Sequence, residues 1–233
     1  MAKMLGIMFE GMTVSLEVFF LTLLFALPLA LPAAFGRMSK NWALRKLVTL
    51  YLLVMRGTPL ILQLIFIYFA PKYFFRLLFE SFSGFIESEG FWNSLRFLLS
   101  WDRFTAVIIA FVLNYAAYFA EIYRGGIEAI PRGQYEAAKV LGFTGSQTFV
   151  RIILPQVLKR ILPAAANEII TLVKDTALAQ VIGVAELFHA AQNASAREFS
   201  TLPIFVAGVF YFFMNWAVSY ALTRCEKKLS YYS

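Results

Sequence analysis

The chain has 233 residues, 60% of them hydrophobic and 17% aromatic, and its mean hydropathy of +0.69 is far above that of soluble domains. Its formal charge of +7 does not point to nucleic acid, because the basic residues sit mainly in short segments between apolar runs, the pattern that orients a membrane protein. A single cysteine, Cys225, excludes an internal disulfide framework, and the lone His189 cannot build a histidine metal site, so no metal site is expected and both read as packing or surface residues.

The expected fold class is all-α and integral to a membrane, one domain over 1–233. Five transmembrane helices are predicted at about 12–35, 47–70, 104–124, 162–184 and 203–222, each long enough to cross a hydrocarbon core. Residues 1–11 carry Lys3 and Glu10, a poor signal-peptide start, and the apolar run that follows is too long for a cleaved segment. It is therefore expected to stay as the first span. Pro28 and Pro32 should kink or loosen it, which a span tolerates when neighbours satisfy the freed carbonyls. In the second span, Arg56-Gly57-Thr58-Pro59 interrupts the apolar run. The part after Pro59 is too short to cross alone, so the whole run is read as one interrupted helix.

The segment 71–103 is long and balanced in charge, and carries Phe74, Phe75, Leu77, Leu78, Phe79, then Phe91, Trp92, Leu95, Phe97, Leu98 and Trp101. Aromatic amphipathic stretches of this kind suit a membrane–water interface. The reading is an interfacial helix or hairpin; the sharper alternative is a docking surface for an extracytoplasmic binding protein.

Charge gives the topology. Arg37, Lys40, Arg45 and Lys46 lie in 36–46. Arg124, Arg132, Lys139, Arg151, Lys159 and Arg160 lie in 124–161, and Arg224, Lys227 and Lys228 in the tail. These thirteen face six on the other side: Lys3, Lys72, Arg76, Arg96, Arg103 and Arg197. The richer side should be cytoplasmic, which puts the N-terminus outside and the C-terminus inside.

Within the loop at about 125–160 the spacing is specific. Glu136-Ala137-Ala138 is followed after three residues by Gly142, and after nine more by Ile152, one residue, then Leu154-Pro155. Gln134 to Leu141 is rich in helix formers, with Ala137 and Ala138 small enough for close approach. Gly142 allows a left-handed or tightly packed helix end. A second short helix should run from Ser146 towards Ile153, with Pro155 marking a turn into the next span. This pattern resembles the cytoplasmic loop of ATP-binding-cassette importer permeases. The resemblance implies that Glu136, Ala137, Ala138, Gly142, Ile152, Leu154 and Pro155 form a cytoplasmic coupling helix and its flanks, which grip an ATPase.

The resemblance narrows through Arg56-Gly57-Thr58-Pro59-Leu60, Ala120-Glu121-Ile122-Tyr123-Arg124-Gly125-Gly126-Ile127, Gly133-Gln134-Tyr135, Asn167-Glu168 and Lys174-Asp175-Thr176. Together these look like the polar amino-acid permease family, whose members serve histidine, arginine, glutamine, glutamate and cystine. The long 71–103 segment departs from the shorter connection expected there.

The residues give their own reason to expect a polar cargo. At about 100° per residue, Asn167, Glu168, Thr171, Lys174 and Asp175 share an arc of about 120° on the fourth span. Ionisable groups inside a span are costly and normally face a bundle interior or an aqueous path. Together with Arg56 they are the candidate substrate path, with Glu168 and Asp175 suited to an ammonium and Lys174 to a carboxylate. The competing reading pairs these groups with one another or with a second subunit as helix-to-helix ties. Glu121 and Arg124, three residues apart, read as a local ion pair.

No G-x-x-x-x-G-K-[ST] loop is present, so the chain is not expected to be an enzyme or to bind ATP. The resemblance implies no cofactor on this chain, ATP and Mg on a partner ATPase, and a place in the bacterial cytoplasmic membrane. It also implies a second permease subunit (identical or related), two ATPase subunits, an extracytoplasmic substrate-binding protein, a small polar amino acid and membrane lipid, and no nucleic acid. The mechanism so implied is alternating access. Alternatives are the same architecture importing an opine or a sulfur compound, and an ion-coupled secondary transporter.

Overall fold

The computed structural model describes residues 2–84, 86 and 88–229, and within them the regular structure is helical. Helix α1 (Ala2–Arg37) starts well before the expected 12, because Met4 and Met8 continue its buried face. It stays one helix through Pro28 and Pro32. Beside the proline pair, the Tyr123 hydroxyl donates to the Leu27 carbonyl at 3.4 Å.

Helix α2 (Trp42–Gly57) opens on Asn41, whose side chain accepts from the amides of Ala43 and Leu44. It ends where Thr58 and Pro59 are extended, as a residue preceding proline and proline itself favour, and α3 (Leu60–Phe82) follows at once. The break is paid for by two amide side chains. Gln63 Nε2 donates to the Met55 carbonyl at 2.9 Å, and Asn114 Nδ2 donates to the same carbonyl at 2.9 Å and to Gln63 Oε1 at 3.0 Å. An interrupted helix inside a bundle needs such partners. Helix α3 runs beyond the expected 70 and turns into α4 (Glu89–Leu99), so much of the 71–103 segment is a helical hairpin.

Helix α5 (Arg103–Glu128) is the centre of the molecule and packs against α1, α2, α3 and α8. Its small residues Ala106, Ala110, Ala116, Ala117 and Ala120 are buried, as are Ala26, Ala30 and Ala34 down one face of α1. Small residues let helix backbones approach where lipid removes the usual hydrophobic drive. At Gly126 an added Cβ would lie 2.2 Å from Ile161 Cγ2, so the C-terminal end of α5 packs its bare backbone directly against the Ile161 side chain of α8.

After α6 (Arg132–Val140) and the single turn α7 (Gly145–Thr148), a π-helical segment Phe149–Ile153 leads into α8 (Leu154–Asp175). Pro155 therefore does not mark a turn. It lies in the first turn of α8, where a missing amide hydrogen is tolerated. The expected span 162–184 is the second half of α8 followed by a 3-10 helix, Thr176–Ile182. Helices α9 (Leu187–Glu198) and α10 (Leu202–Leu229) complete the bundle, and α10 packs on α8 and α9.

Among the described residues four helical segments are long and apolar enough to cross a membrane: Met4–Arg37, Leu60–Phe82, Arg103–Glu128 and Leu202–Lys228. Helix α8, with Glu168, Lys174 and Asp175 in its second half, is not one of them.

Candidate functional site

Two regions hold the residues singled out from the sequence. The first is the connection between α5 and α8. Helix α6 ends in a Schellman motif: Phe143 N donates to the Ala138 carbonyl at 3.0 Å and Gly142 N to that of Lys139 at 3.1 Å. Gly142 sits at φ +78°, and no atom lies within 4 Å of where its Cβ would be. Of the two reasons open for this glycine, the left-handed conformation applies and tight packing does not.

Thr144 and Gln147 then form a capping box on α7, with Thr144 N donating to Gln147 Oε1 at 2.9 Å and Gln147 N to Thr144 Oγ1 at 3.3 Å. Glu136, Ala137 and Pro155 are exposed, Ala138 is buried, and Ile152 and Leu154 are half-buried. Ile152 packs on a small core of Ile130, Ile153, Val157 and Ile161. The Arg160 guanidinium donates to the Ala129 carbonyl at 2.6 Å, and Gln156 to Gln134 at 3.4 Å, tying the loop to the start of α8. At the exposed end of α6 the apolar side chains of Val140 and Leu141 are 87% and 73% exposed.

The second region is the polar face of α8. Asn167, Thr171 and Lys174 are exposed, while Glu168 and Asp175 at its edge are half-buried. The Thr171 hydroxyl turns back on its own helix, donating to the Asn167 carbonyl at 2.9 Å. Asp175 accepts a 2.7 Å hydrogen bond from the Tyr115 hydroxyl of α5. Asp175 and Arg56 are both within electrostatic range of Glu168. The Arg56 guanidinium also lies 5.5 Å from the centre of the Tyr118 ring. The structure therefore brings Arg56, from the break between α2 and α3, towards the acidic edge of α8.

Glu121 forms a bidentate pair with Arg124, the closest contact being 2.7 Å, as their spacing implies. It also draws Arg56 to 3.7 Å and Arg37 to 3.9 Å. One carboxylate thus ties the ends of α1, α2 and α5. This gathers the basic 36–46 connection and the 125–160 loop at one end of the bundle.

The model of the family described as "Binding-protein-dependent transport system inner membrane component" matches residues 26–231. The chain belongs to that family. The glutamine transport system permease protein GlnP of Escherichia coli is 35% identical to this permease over 224 residues, 96% of this chain and 93% of that one. The L-cystine transport system permease protein TcyB of Bacillus subtilis is 35% identical over 93% of this chain and 82% of its own length. The nopaline transport system permease protein NocM of Agrobacterium fabrum is 33% identical over 91% and 83%. Among solved structures, an amino acid ABC transporter crystallised with histidines superposes with a TM-score of 0.79 at 31% identity, covering 98% of this chain and 96% of that one. The methionine ABC transporter MetNI superposes with a TM-score of 0.73 at 18% identity, a likeness of fold.

The permease has polar residues that the sequence reading passed over. Asn114 and Tyr118 lie four residues apart along α5, beside Tyr115 and one turn before Glu121, and the helical-wheel test that found the α8 stripe would have found them. Glu186 gave no such signal. It is fully buried and caps α9, accepting from the amides of Phe188 and His189 at 2.7 and 2.6 Å, from the Tyr211 hydroxyl at 2.8 Å and from the Ser15 hydroxyl at 3.4 Å. Its side-chain partners Ser15 and Tyr211 come from α1 and α10, 171 and 25 residues away. His189 is half-buried, in a 390 Å³ cavity with Glu10, Asn193 and Arg197, and Cys225 is exposed.

Proposed function

We propose that this permease moves small polar amino acids, cationic ones included, across the bacterial cytoplasmic membrane by alternating access, driven by ATP hydrolysed on partner subunits. The observation that carries the cargo class is the α8 face. Glu168 and Asp175, beside Tyr115 and Arg56, place both charge signs along one side of α8, as an ammonium–carboxylate solute requires. Asn167, Thr171 and Lys174 extend that face towards a second permease copy or a related chain, and the path lies between the two. The printed names of the glutamine, cystine and nopaline relatives support a solute of this class.

In this reading five spans cross the bilayer, α2 with α3 counting as one and α8 with its 3-10 extension as another. The gathering of the basic connections at one end supports a cytoplasmic 125–160 loop and an outside N-terminus. Glu136, Ala137, Ala138, Gly142, Ile152, Leu154 and Pro155 make the coupling element. Exposed Val140 and Leu141 supply apolar area for an ATPase cleft, and Glu136 a charge at its rim. Two ATPase subunits and an extracytoplasmic binding protein complete the complex. ATP and Mg bind the ATPases, and this chain holds no cofactor.

Uptake into proteoliposomes of the assembled complex, with a panel of labelled amino acids, tests the reading. ATP-dependent uptake competed by polar amino acids is expected. Glu168→Gln should slow cationic substrates more than neutral ones. Uptake that no amino acid competes with, or that proceeds without an ATPase subunit, would overturn it.

A further inference from the structure

We propose that the hairpin of α3 and α4 binds the headgroup of one zwitterionic phospholipid, one whose ammonium group lies beside its phosphate. The proposal rests on the chain being a membrane protein and not on its cargo. Lys72 and Arg103 both face Tyr68, so at that point α3 has reached the end of the bundle where α5 begins. From Lys72 the helix continues ten residues to Phe82, about 15 Å at the α-helical rise. The hairpin thus stands beyond the end of the central helix, at the depth of the polar headgroups. Its outer surface is apolar all the same: Phe74, Leu77, Phe97 and Leu98 are 55%, 46%, 83% and 62% exposed. Side chains of this kind at this level belong against lipid.

Between the two helices lies a cavity of about 470 Å³ lined by Phe75, Phe79, Glu89, Trp92, Asn93 and Arg96. Phe75 and Phe79 are stacked with ring centres 6.2 Å apart, and Trp92 stands edge-on to them at 6.4 and 5.1 Å. The Trp92 indole N–H donates to the Ile86 carbonyl at 2.8 Å, which holds the ring in place. Aromatic walls of this kind attract an organic cation. Glu89, Asn93 and Arg96 follow at positions i, i+4 and i+7 of α4 on the same face. Among the described residues neither Glu89 nor Arg96 has an ion-pair partner, whereas Arg76 and Glu80 on α3 are paired with each other at 2.7 Å.

The two charges select the headgroup. Glu89 repels a phosphate that brings no cation of its own, and Arg96 repels a cation that brings no anion. An ammonium held by Glu89 and the ring walls, with its phosphate on Arg96 and Asn93, satisfies both groups. Phosphatidylethanolamine has this chemistry and phosphatidylglycerol does not.

Native mass spectrometry of the detergent-purified permease, titrated with dioleoyl-phosphatidylethanolamine or dioleoyl-phosphatidylglycerol, tests the site. The expected result is several-fold greater retention of the ethanolamine lipid. Glu89→Gln and Arg96→Gln should each lower it at least about threefold with helix content unchanged by circular dichroism. These are exposed, conservative changes, so folding is preserved, and Trp92→Phe should give an intermediate loss. Equal retention of both lipids, sensitive to Arg96→Gln alone, would show a plain anion site and overturn the proposal. So would retention that no variant alters. If the variants leave lipid retention unchanged but abolish stimulation by a substrate-binding protein, the hairpin is a protein-docking face instead. Failure of the cargo assignment would show in the uptake panel and leave these lipid measurements untouched.

Discussion

Tyr115 donates its hydroxyl hydrogen to Asp175 at 2.7 Å, joining the middle of α5 to the last turn of α8. The ring is 2% exposed and stacks near Phe111, so the bond sits in packed surroundings. It holds one of the two acidic groups of the polar face in a fixed place.

Replacing Tyr115 with Phe keeps the ring packing and removes that donor. A hydrogen bond to a charged acceptor contributes about 1.5–3 kcal/mol, and a measurable fall in the thermal midpoint of the purified permease is expected. Asp175→Asn should cost less in the Tyr115→Phe background than in the wild type, because the two residues act as one unit. Strictly additive effects of the two changes would mean that the bond contributes nothing.

How far the sequence carried this description depends on the range of the interaction. The interrupted second helix, the capped loop and the α8 face are set by neighbours within a few residues: Pro59 fixes Thr58 as extended, Gly142 closes α6, and Asn167, Glu168, Thr171, Lys174 and Asp175 share one helix face. Such features are legible from spacing. Arg56 beside Glu121 and Tyr115 on Asp175 depend on how helices cross, and no local pattern encodes that. Glu186 is the extreme case, a buried cap whose partners Ser15 and Tyr211 lie on helices distant in the chain. Pro155 misled for a local reason: the π-helical segment before it absorbs the irregularity that was expected to end a helix.

Gly126 tests the packing of α5 on α8. A methyl group added there would meet Ile161 Cγ2 at 2.2 Å and Val157 Cγ1 at 3.2 Å. Gly126→Ala should therefore destabilise by about 1–3 kcal/mol, the usual cost of overpacking, although alanine is the better helix former. Ile161→Ala empties the space the methyl needs, so Gly126→Ala should cost less in the Ile161→Ala background than in the wild type. An equal cost in both backgrounds would place the strain elsewhere.

Asp102 caps α5 outside the span, accepting from the amides of Phe104 and Thr105 at 3.0 and 3.2 Å. Hydrogen bonding from Thr105, side chain first and then backbone, holds its carboxyl below the usual range. A depressed carboxylate contributes stability above its unfolded value, and loses it as pH falls through the folded one. Asp102→Ala should cost about 1 kcal/mol near neutrality, as lost caps do. The gap between variant and wild type should close as the pH is taken below about 4, the ordinary aspartate value. Thermal midpoints measured across that range check it, and a gap independent of pH would remove the charge from the account.

Gly142 separates conformation from space in the 125–160 loop. Its φ of +78° disfavours any residue with a Cβ, yet nothing crowds the position. The outcome should therefore follow backbone preference and not side-chain volume. Asn, which enters the left-handed region readily, should retain more function than the smaller Ala, and Val should retain least. Substrate-stimulated ATP hydrolysis by the assembled complex is the readout, alongside the amount of ATPase that co-purifies. If Ala outperforms Asn, volume governs and the left-handed turn is not what the loop needs. If all three variants couple normally, the helix end is not part of the contact that transmits the motion.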